Sequence, residues 1–223
     1  MYIPKLSDTN YIFPDTKNAT EDGLVAWGDD LNIERIISAY RSGIFPWYNE
    51  YEDDPVLWWS PNPRLILHFD DLKVSKSLQK SIRKFQVKFD TNFEAVMKNC
   101  RDVRIDKEGS WIGDDILDKY IQLHKMGIAH SVETYYNDEL VGGLYGVSVG
   151  SIFCGESMFS RKSDASKVAL YHLVEKAKEL NYNFIDCQIP TNHLKSMGAI
   201  EVSRDFFIKE LKKSLDKTPL SEW

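Results

Sequence analysis

Residues 140–164 read LVGGLYGVSVGSIFCGESMFSRKSD, and the fold turns on them. The stretch reads as two strands weakened by glycine and joined by a tight turn at Val149-Gly150-Ser151. A glycine, an acid and a small polar residue (Gly155, Glu156 and Ser157) then stand where the second strand is expected to finish. Glycine inside a strand destabilises it and marks a bulge or a close approach to the backbone. Gly142, Gly143, Gly146, Gly150 and Gly155 crowd into this one run. It therefore predicts a backbone built for something to lie against.

Working outward, strand patterns occupy 129–136, 139–149 and 151–158. Ser163 or Asp164 caps a following helix with Ala165, Ala169, Leu173, Ala177 and Leu180 in its stripe. Asn183 to Cys187 reads as a short strand, Asn192 to Met197 as a helical turn, and Val202 to Leu211 as a last strand. Upstream, Leu65, Leu67 and Phe69 alternate, as do Phe85, Val87 and Phe89. Phe93, Val96, Met97 and Cys100 fit a short helix, and Ile112 through His124 a longer one. Before residue 64 the chain is rich in aromatics and prolines. Its single clear helix is capped by Asn32, carries Ile33, Ile36, Ile37 and Tyr40, and stops at Gly43. The pattern predicts an α/β (α+β) fold. A small N-terminal domain, residues 1–64, packs on a C-terminal domain, residues 65–223, with a mixed, mostly antiparallel sheet flanked by helices. The order of elements resembles that of acyl-CoA-dependent N-acyltransferases, a likeness that order alone does not carry to function.

The 223 residues are 43% hydrophobic and 28% charged, ordinary for a globular protein with a full core. No run approaches the roughly 20 apolar residues of a membrane span. No signal-peptide pattern opens the chain. Cys100, Cys154 and Cys187 are scattered and match no zinc spacing, so a reducing cytoplasm is expected. No coiled-coil pattern opposes a monomer. Net charge is −6, yet Lys73, Lys76, Lys80, Arg83, Lys84 and Lys88 put six cations and no acid into sixteen residues. In a helix from Ser75 to Lys84, Lys76, Lys80, Arg83 and Lys84 share one face. That face is either a plain solvated one or a ridge that contacts phosphates.

Asp186 and Gln188 lead the chemical candidates. At strand spacing they share a face, with Cys187 turned away into the core. An acid beside an amide can polarise an attacking amine, or simply cap the next turn. Glu156 and Ser157 can hold an ammonium group, or can be an edge-strand decoration. Leu144, Phe153, Met158, Leu173 and Ile185 flank these groups, as core or as the lining of an apolar pocket. Trp47, Trp58, Trp59 and Trp111 can stack on a base or fill space. His130 and His193 are bases or structural histidines. There is no G-x-S-x-G elbow, no P-loop and no metal-ligand cluster. The loop from Ser160 to Ser166 lacks the glycines that cradle a pyrophosphate before a helix, which counts against acyl-CoA as donor. A non-catalytic RNA binder would leave Asp186 and Gln188 without a task.

Several stretches together resemble the leucyl/phenylalanyl-tRNA–protein transferase family. They are Phe13-Pro14, Gly23-Leu24, Gly28, Asp30-Leu31, the run from Ala39 to Trp47, and Leu57 to Pro61 with Arg64. Later come Ser110-Trp111-Ile112, Ala129 to Glu133, Leu140 to Gly146, Gly155 to Arg161, Ala165 to Lys167, Asp186 to Gln188, and His193 to Ala199. Asp29 departs from the family's G-G-D-L pattern. The resemblance implies an N-acyltransferase-like C-terminal domain. It also implies transfer of leucine or phenylalanine, sometimes methionine, from charged tRNA to proteins that begin with Lys or Arg, which are then degraded. No metal or cofactor is implied. Asp186 and Gln188 would activate the α-amine, by proton transfer or by positioning. Trp47 and Trp111 would lie near the terminal adenosine. Leu144, Phe153, Met158, Leu173 and Ile185 would form the amino-acid pocket. Glu156 and Ser157 would sit where the acceptor amine meets the aminoacyl group, and Lys76, Lys80, Arg83 and Lys84 would meet the acceptor stem.

Overall fold

The computed structural model describes residues 2–7, 9–28, 31–48, 55–105, 111–217 and 223. Asp29, Asp30 and Ser110 lie outside these. In chain order the elements are β1 (Leu24–Gly28), α1 (Ile33–Arg41), β2 (Phe45–Pro46), β3 (Val56–Trp59), β4 (Arg64–Leu67) and α2 (Lys76–Ile82). Then come β5 (Gln86–Phe89), α3 (Phe93–Ile105), α4 (Asp114–Lys125), β6 (Ala129–Tyr136), β7 (Glu139–Val149) and β8 (Ile152–Ser160). The chain closes with α5 (Ala165–Glu179), β9 (Phe184–Gln188), α6 (Asn192–Ser196), β10 (Ile200–Val202) and α7 (Arg204–Leu215). A three-stranded sheet, ordered β1-β3-β2, belongs to the N-terminal part. The seven-stranded sheet runs β10-β4-β9-β8-β7-β6-β5. Its pairs are antiparallel except β8 with β9.

Two apolar layers cover the large sheet. On one side Tyr145, Val147, Phe184 and Ile66 pack with residues of α1, α3, α4 and α7. On the other, Leu144, Phe153 and Ile185 pack against Val168, Leu170, Leu173 and Ala177 of α5. Each fully buried large side chain contributes about 1.5–3 kcal/mol. Strand β4, next to the β10 edge, is buried along its whole length, as a strand covered on both faces requires. Among the described residues no helix is long and apolar enough to cross a membrane.

Most elements lie where the sequence puts them; the last one does not. Val202 to Leu211 holds the end of β10 and most of α7. Ser203 caps α7 by accepting from the Phe206 amide, and Phe207, Leu211 and Ser214 are buried at helical spacing. The paired aromatics Phe206 and Phe207 imitate a strand, but the cap and that spacing decide for helix.

The glycine run also departs from expectation. A Cβ on Gly142 would lie 2.5 Å from Ala165 Cβ, one on Gly146 would strike the Phe153 ring, and one on Gly150 would strike the Ser214 carbonyl. These glycines admit the protein's own atoms, not a ligand. Gly155 differs: its added Cβ would meet nothing nearer than the Asp186 carbonyl at 3.6 Å.

Candidate active site

The parallel pair β8 and β9 stays in register from Ile152–Phe184 to Cys154–Asp186, where the ladder ends. Each strand then carries an extra residue. On β8, Gly155 pairs with Gly146 and Ser157 with Tyr145, so Glu156 is unpaired. On β9, Asp186 pairs with Ile66 and Gln188 with Leu65, so Cys187 is unpaired. A bulge bends its strand and re-aims a side chain. Two bulges at one level part the strands, and a cavity of about 430 Å³ opens there. That falls within the roughly 300–1,000 Å³ usual for small-molecule sites. Glu156 and Ser157 are therefore not at the end of a strand. They interrupt one, and β8 runs on to Ser160.

The bulge on β9 also overturns the same-face argument for Asp186 and Gln188. Gln188 has φ +60°, a left-handed conformation that costs a side-chain-bearing residue about 1–2 kcal/mol. Two hydrogen bonds hold it there. Its amide donates to Asp186 Oδ1 at 2.9 Å, and its Nε2 donates to Glu156 Oε1 at 2.6 Å. Gln188 and Glu156 line the cavity; Asp186 does not. Asp186 is fully buried, and both its oxygens accept from Arg64, Oδ1 from Nε at 2.8 Å and Oδ2 from Nη2 at 2.6 Å. Arg64 in turn lies against the rings of Phe45 and Phe207 and donates to the Gly43 carbonyl. Asp186 thus ties β4 to β9 and fixes the Gln188 turn. Cys187, expected in the core, is on the cavity wall.

Glu156 is held from a second side. The Tyr40 hydroxyl of α1 donates to it, and Tyr40 Oη lies 2.5 Å from Tyr120 Oη of α4. Burial, with Glu156 adding to it, keeps both phenols well above their ordinary range, so they are neutral at pH 7. Burial first, and then the nearby Asp186 charge, push Glu156 up to about 7, against the hydrogen bonds from Tyr40 and Gln188. It is thus a carboxyl poised near neutrality, where proton exchange is efficient.

The other predicted residues divide cleanly. Leu144, Met158, Leu173 and Ile185 line the cavity with Ser157, Trp47 and Trp111. Phe153 does not. It lies behind Leu144 and Ile185 in the same apolar cluster, its ring 5.2 Å from that of Trp223. Trp47 is 43% exposed and tilts against Trp59, whose Nε1 donates to the Trp47 carbonyl. Lys76, Lys80, Arg83 and Lys84 are exposed and away from the cavity; α2 ends at Ile82, so the last two follow it in a turn. Asp164 does precede α5, but at φ +67° and without a side-chain cap. Its carboxylate accepts from Ser81 and Lys167, leaving an acid where a pyrophosphate would need amides. Sequence reasoning missed Tyr40 as a site residue, and also Arg104, Leu170, Thr191 and Leu194 on the wall. Tyr40 sat in plain view as one apolar member of the α1 stripe. Among the described residues no cluster of metal-ligating side chains occurs.

Residues 66–212 match the family described as leucyl/phenylalanyl-tRNA protein transferase, and residues 29–62 match the family described as its N-terminal domain. A relative from Sulfurimonas denitrificans, named leucyl/phenylalanyl-tRNA–protein transferase, is 58% identical over 212 residues, 95% of this chain and 92% of its own. Another of that name, from Maridesulfovibrio salexigens, is 50% identical over 213 residues, 94% of this chain and 88% of its own. Among solved structures, an aminoglycoside acetyltransferase from an uncultured soil metagenomic sample aligns at TM-score 0.41 and 11% identity, over 63% of this chain and 95% of that one. That likeness is too distant to speak of function.

Proposed function

The chain belongs to the leucyl/phenylalanyl-tRNA–protein transferase family and is an aminoacyltransferase, and from that premise we propose the finer reaction. It moves leucine or phenylalanine, and methionine also, from aminoacyl-tRNA to the N-terminal α-amine of proteins beginning with Lys or Arg, marking them for degradation. The observation that carries this reading is Glu156. It stands between Tyr40 and Gln188 at the polar end of an otherwise largely apolar cavity.

The aminoacyl ester is already activated, so the protein's task is orientation and a neutral amine. Leu144, Met158, Leu173 and Ile185 receive the aminoacyl side chain, while Trp47 and Trp111 bracket the adenosine. Such a pocket separates side chains by size and hydration, with modest discrimination among similar ones. The acceptor arrives as an ammonium ion with an ordinary pKa of about 7.7–8.0. Glu156 at about 7 accepts its proton at little energetic cost. The freed amine then forms a C–N bond to the ester carbonyl carbon, and the bond from that carbon to the ribose oxygen breaks. A second N–H proton ends on that oxygen. Ammonium plus ester thus gives amide, hydroxyl and the one proton held by Glu156. Gln188 orients Glu156, and Asp186 positions Gln188 from behind. Lys76, Lys80, Arg83 and Lys84 meet acceptor-stem phosphates, so tRNA binding weakens as salt rises.

The test is transfer of radiolabelled leucine from leucyl-tRNA to a peptide beginning with Arg, beside one beginning with Gly. Label on the Arg peptide alone is expected; equal labelling of both would refute the acceptor assignment.

A further inference from the structure

Arg104 lies in the last turn of α3 and forms part of the cavity wall with Trp111, Tyr145 and Ser157. Most half-buried or buried arginines of this protein have their charge answered. Arg64 is bonded to Asp186, Arg101 to Asp114, and Arg204 to the Ser60 carbonyl. Arg104 is half-buried, and among the described residues it has neither a hydrogen-bond partner nor an ion-pair partner. Among the described residues the wall has one carboxylate, and it does not serve Arg104. Glu156 is bonded to Gln188 and Tyr40, and the guanidinium that acts on it is Arg64. Arg104 instead acts on Tyr145 and on Cys100, opposing the burial that pushes that thiol up to about 12. Tyr145, whose buried hydroxyl has no partner among the described residues, is also reached by the Glu156 charge. The cavity therefore has an acidic pole at Glu156 and a cationic pole at Arg104. A half-buried cation without a protein partner on a mainly apolar wall is placed to gain from a ligand that supplies the opposite charge.

The reaction proposed above limits what that ligand group is. The acceptor brings an ammonium ion and, in Lys or Arg, a second cation. The aminoacyl group brings a cationic amine. The adenosine and its ribose are neutral. At the reacting ends of the two substrates the anions always present are the phosphodiesters of the tRNA, and the nearest to the ester is the one on the 5′ side of the terminal adenosine. We propose that Arg104 receives that phosphodiester, and thereby sets how deeply the ester reaches toward Glu156. This assignment rests on the proposed reaction. A guanidinium suits it, since its fork can donate to two phosphate oxygens at once. Favourable placement of a cation at the C-terminus of α3 would need charge only, and Lys would satisfy it as well as Arg.

The experiment compares kcat/KM for two small donors, 2′(3′)-O-leucyl-adenosine and its 5′-methylphosphodiester, with an Arg-starting peptide as acceptor. The ratio between donors is taken within each variant, so partial loss of folded protein cancels. Wild type is expected to favour the phosphodiester by about 10- to 100-fold, the worth of hydrogen bonds to a charged group. Arg104→Met is expected to bring the ratio below about 3, and Arg104→Lys to keep part of it. A ratio near 1 in wild type, or a wild-type ratio in Arg104→Met, overturns the assignment of Arg104. Leucyl-tRNA as a third donor separates this from failure of the reaction itself: no transfer from leucyl-tRNA overturns the proposed reaction and the assignment with it.

Discussion

Replacing Asp186 with Ala tests whether this carboxylate acts on the substrate or holds the site together. It is fully buried, and its partner Arg64 is 1% exposed. The pair is joined through bonds of 2.8 and 2.6 Å, and the same carboxylate accepts the Gln188 amide at 2.9 Å. Asp186→Ala leaves a guanidinium enclosed by Phe45 and Phe207 with no counter-charge. Breaking a buried pair in this way costs about 3–5 kcal/mol. With a urea m-value of about 2–3 kcal/mol/M, the unfolding midpoint falls by about 1–2.5 M. Gln188→Ala breaks one bond to Glu156, worth about 0.5–1.5 kcal/mol, and should move the midpoint by only about 0.2–0.8 M. Equilibrium unfolding followed by tryptophan fluorescence reads both. Replacing the pair together, Arg64→Met with Asp186→Leu, should recover much of the loss, because no orphaned charge remains. A midpoint for Asp186→Ala within about 0.3 M of wild type would refute the clamp, and would return Asp186 to the list of groups acting directly on the amine.

Glu156 gives a prediction in pH. Its folded pKa is about 7 against an ordinary 4.5, so the native state binds the extra proton between those values, and stability falls as pH rises through that window. The fall is at most about 3 kcal/mol. Glu156→Gln should show a smaller loss of stability than wild type between pH 5 and 7.5, and an identical loss in both would contradict the assignment. The Tyr40 hydrogen bond lowers the Glu156 pKa, so Tyr40→Phe should move the rising limb of kcat/KM to higher pH; an unmoved limb would exclude Tyr40 from the proton path. Leu173, 1% exposed on α5, lines the cavity, so Leu173→Ala should cost about 2–5 kcal/mol of stability and raise the phenylalanine-to-leucine donor ratio several-fold. An unchanged ratio would place Leu173 outside the side-chain pocket.

The strands and helices were legible wherever periodicity and caps agreed, as with Asn32 and Gly43 bracketing α1 or Ser75 starting α2. The end of the chain was misread because Phe206-Phe207-Ile208 has the aromatic and β-branched composition of a strand, while Ser203 signals a helix. In the site, Glu156 stood out in the glycine-rich run, Gln188 beside Asp186, and Trp47 and Trp111 as aromatics that could stack; all four line one cavity. Their geometry was not legible, because strand alternation fails at bulges, and the site is made by two of them. The slip at Cys187 carries Asp186 away from the cavity and brings Cys187 onto its wall. Whether Phe153 was core or lining stayed open in the sequence, because a ring behind a wall and a ring on it leave the same apolar signature; it packs in the cluster with Leu144 and Ile185. Tyr40 and Arg104 come from helices remote in sequence, and only their packing beside β8 reveals them.

The proposed reaction requires Gln188 to hold Glu156 where an amine meets the ester. The most direct measurement is the single-turnover rate of leucine transfer from pre-bound leucyl-tRNA to an Arg-starting peptide, for wild type and Gln188→Ala, with tRNA affinity measured on the same proteins. A rate lower by about 100-fold or more, with affinity within a few-fold of wild type, is the predicted result. Transfer by Gln188→Ala at the wild-type rate would contradict it.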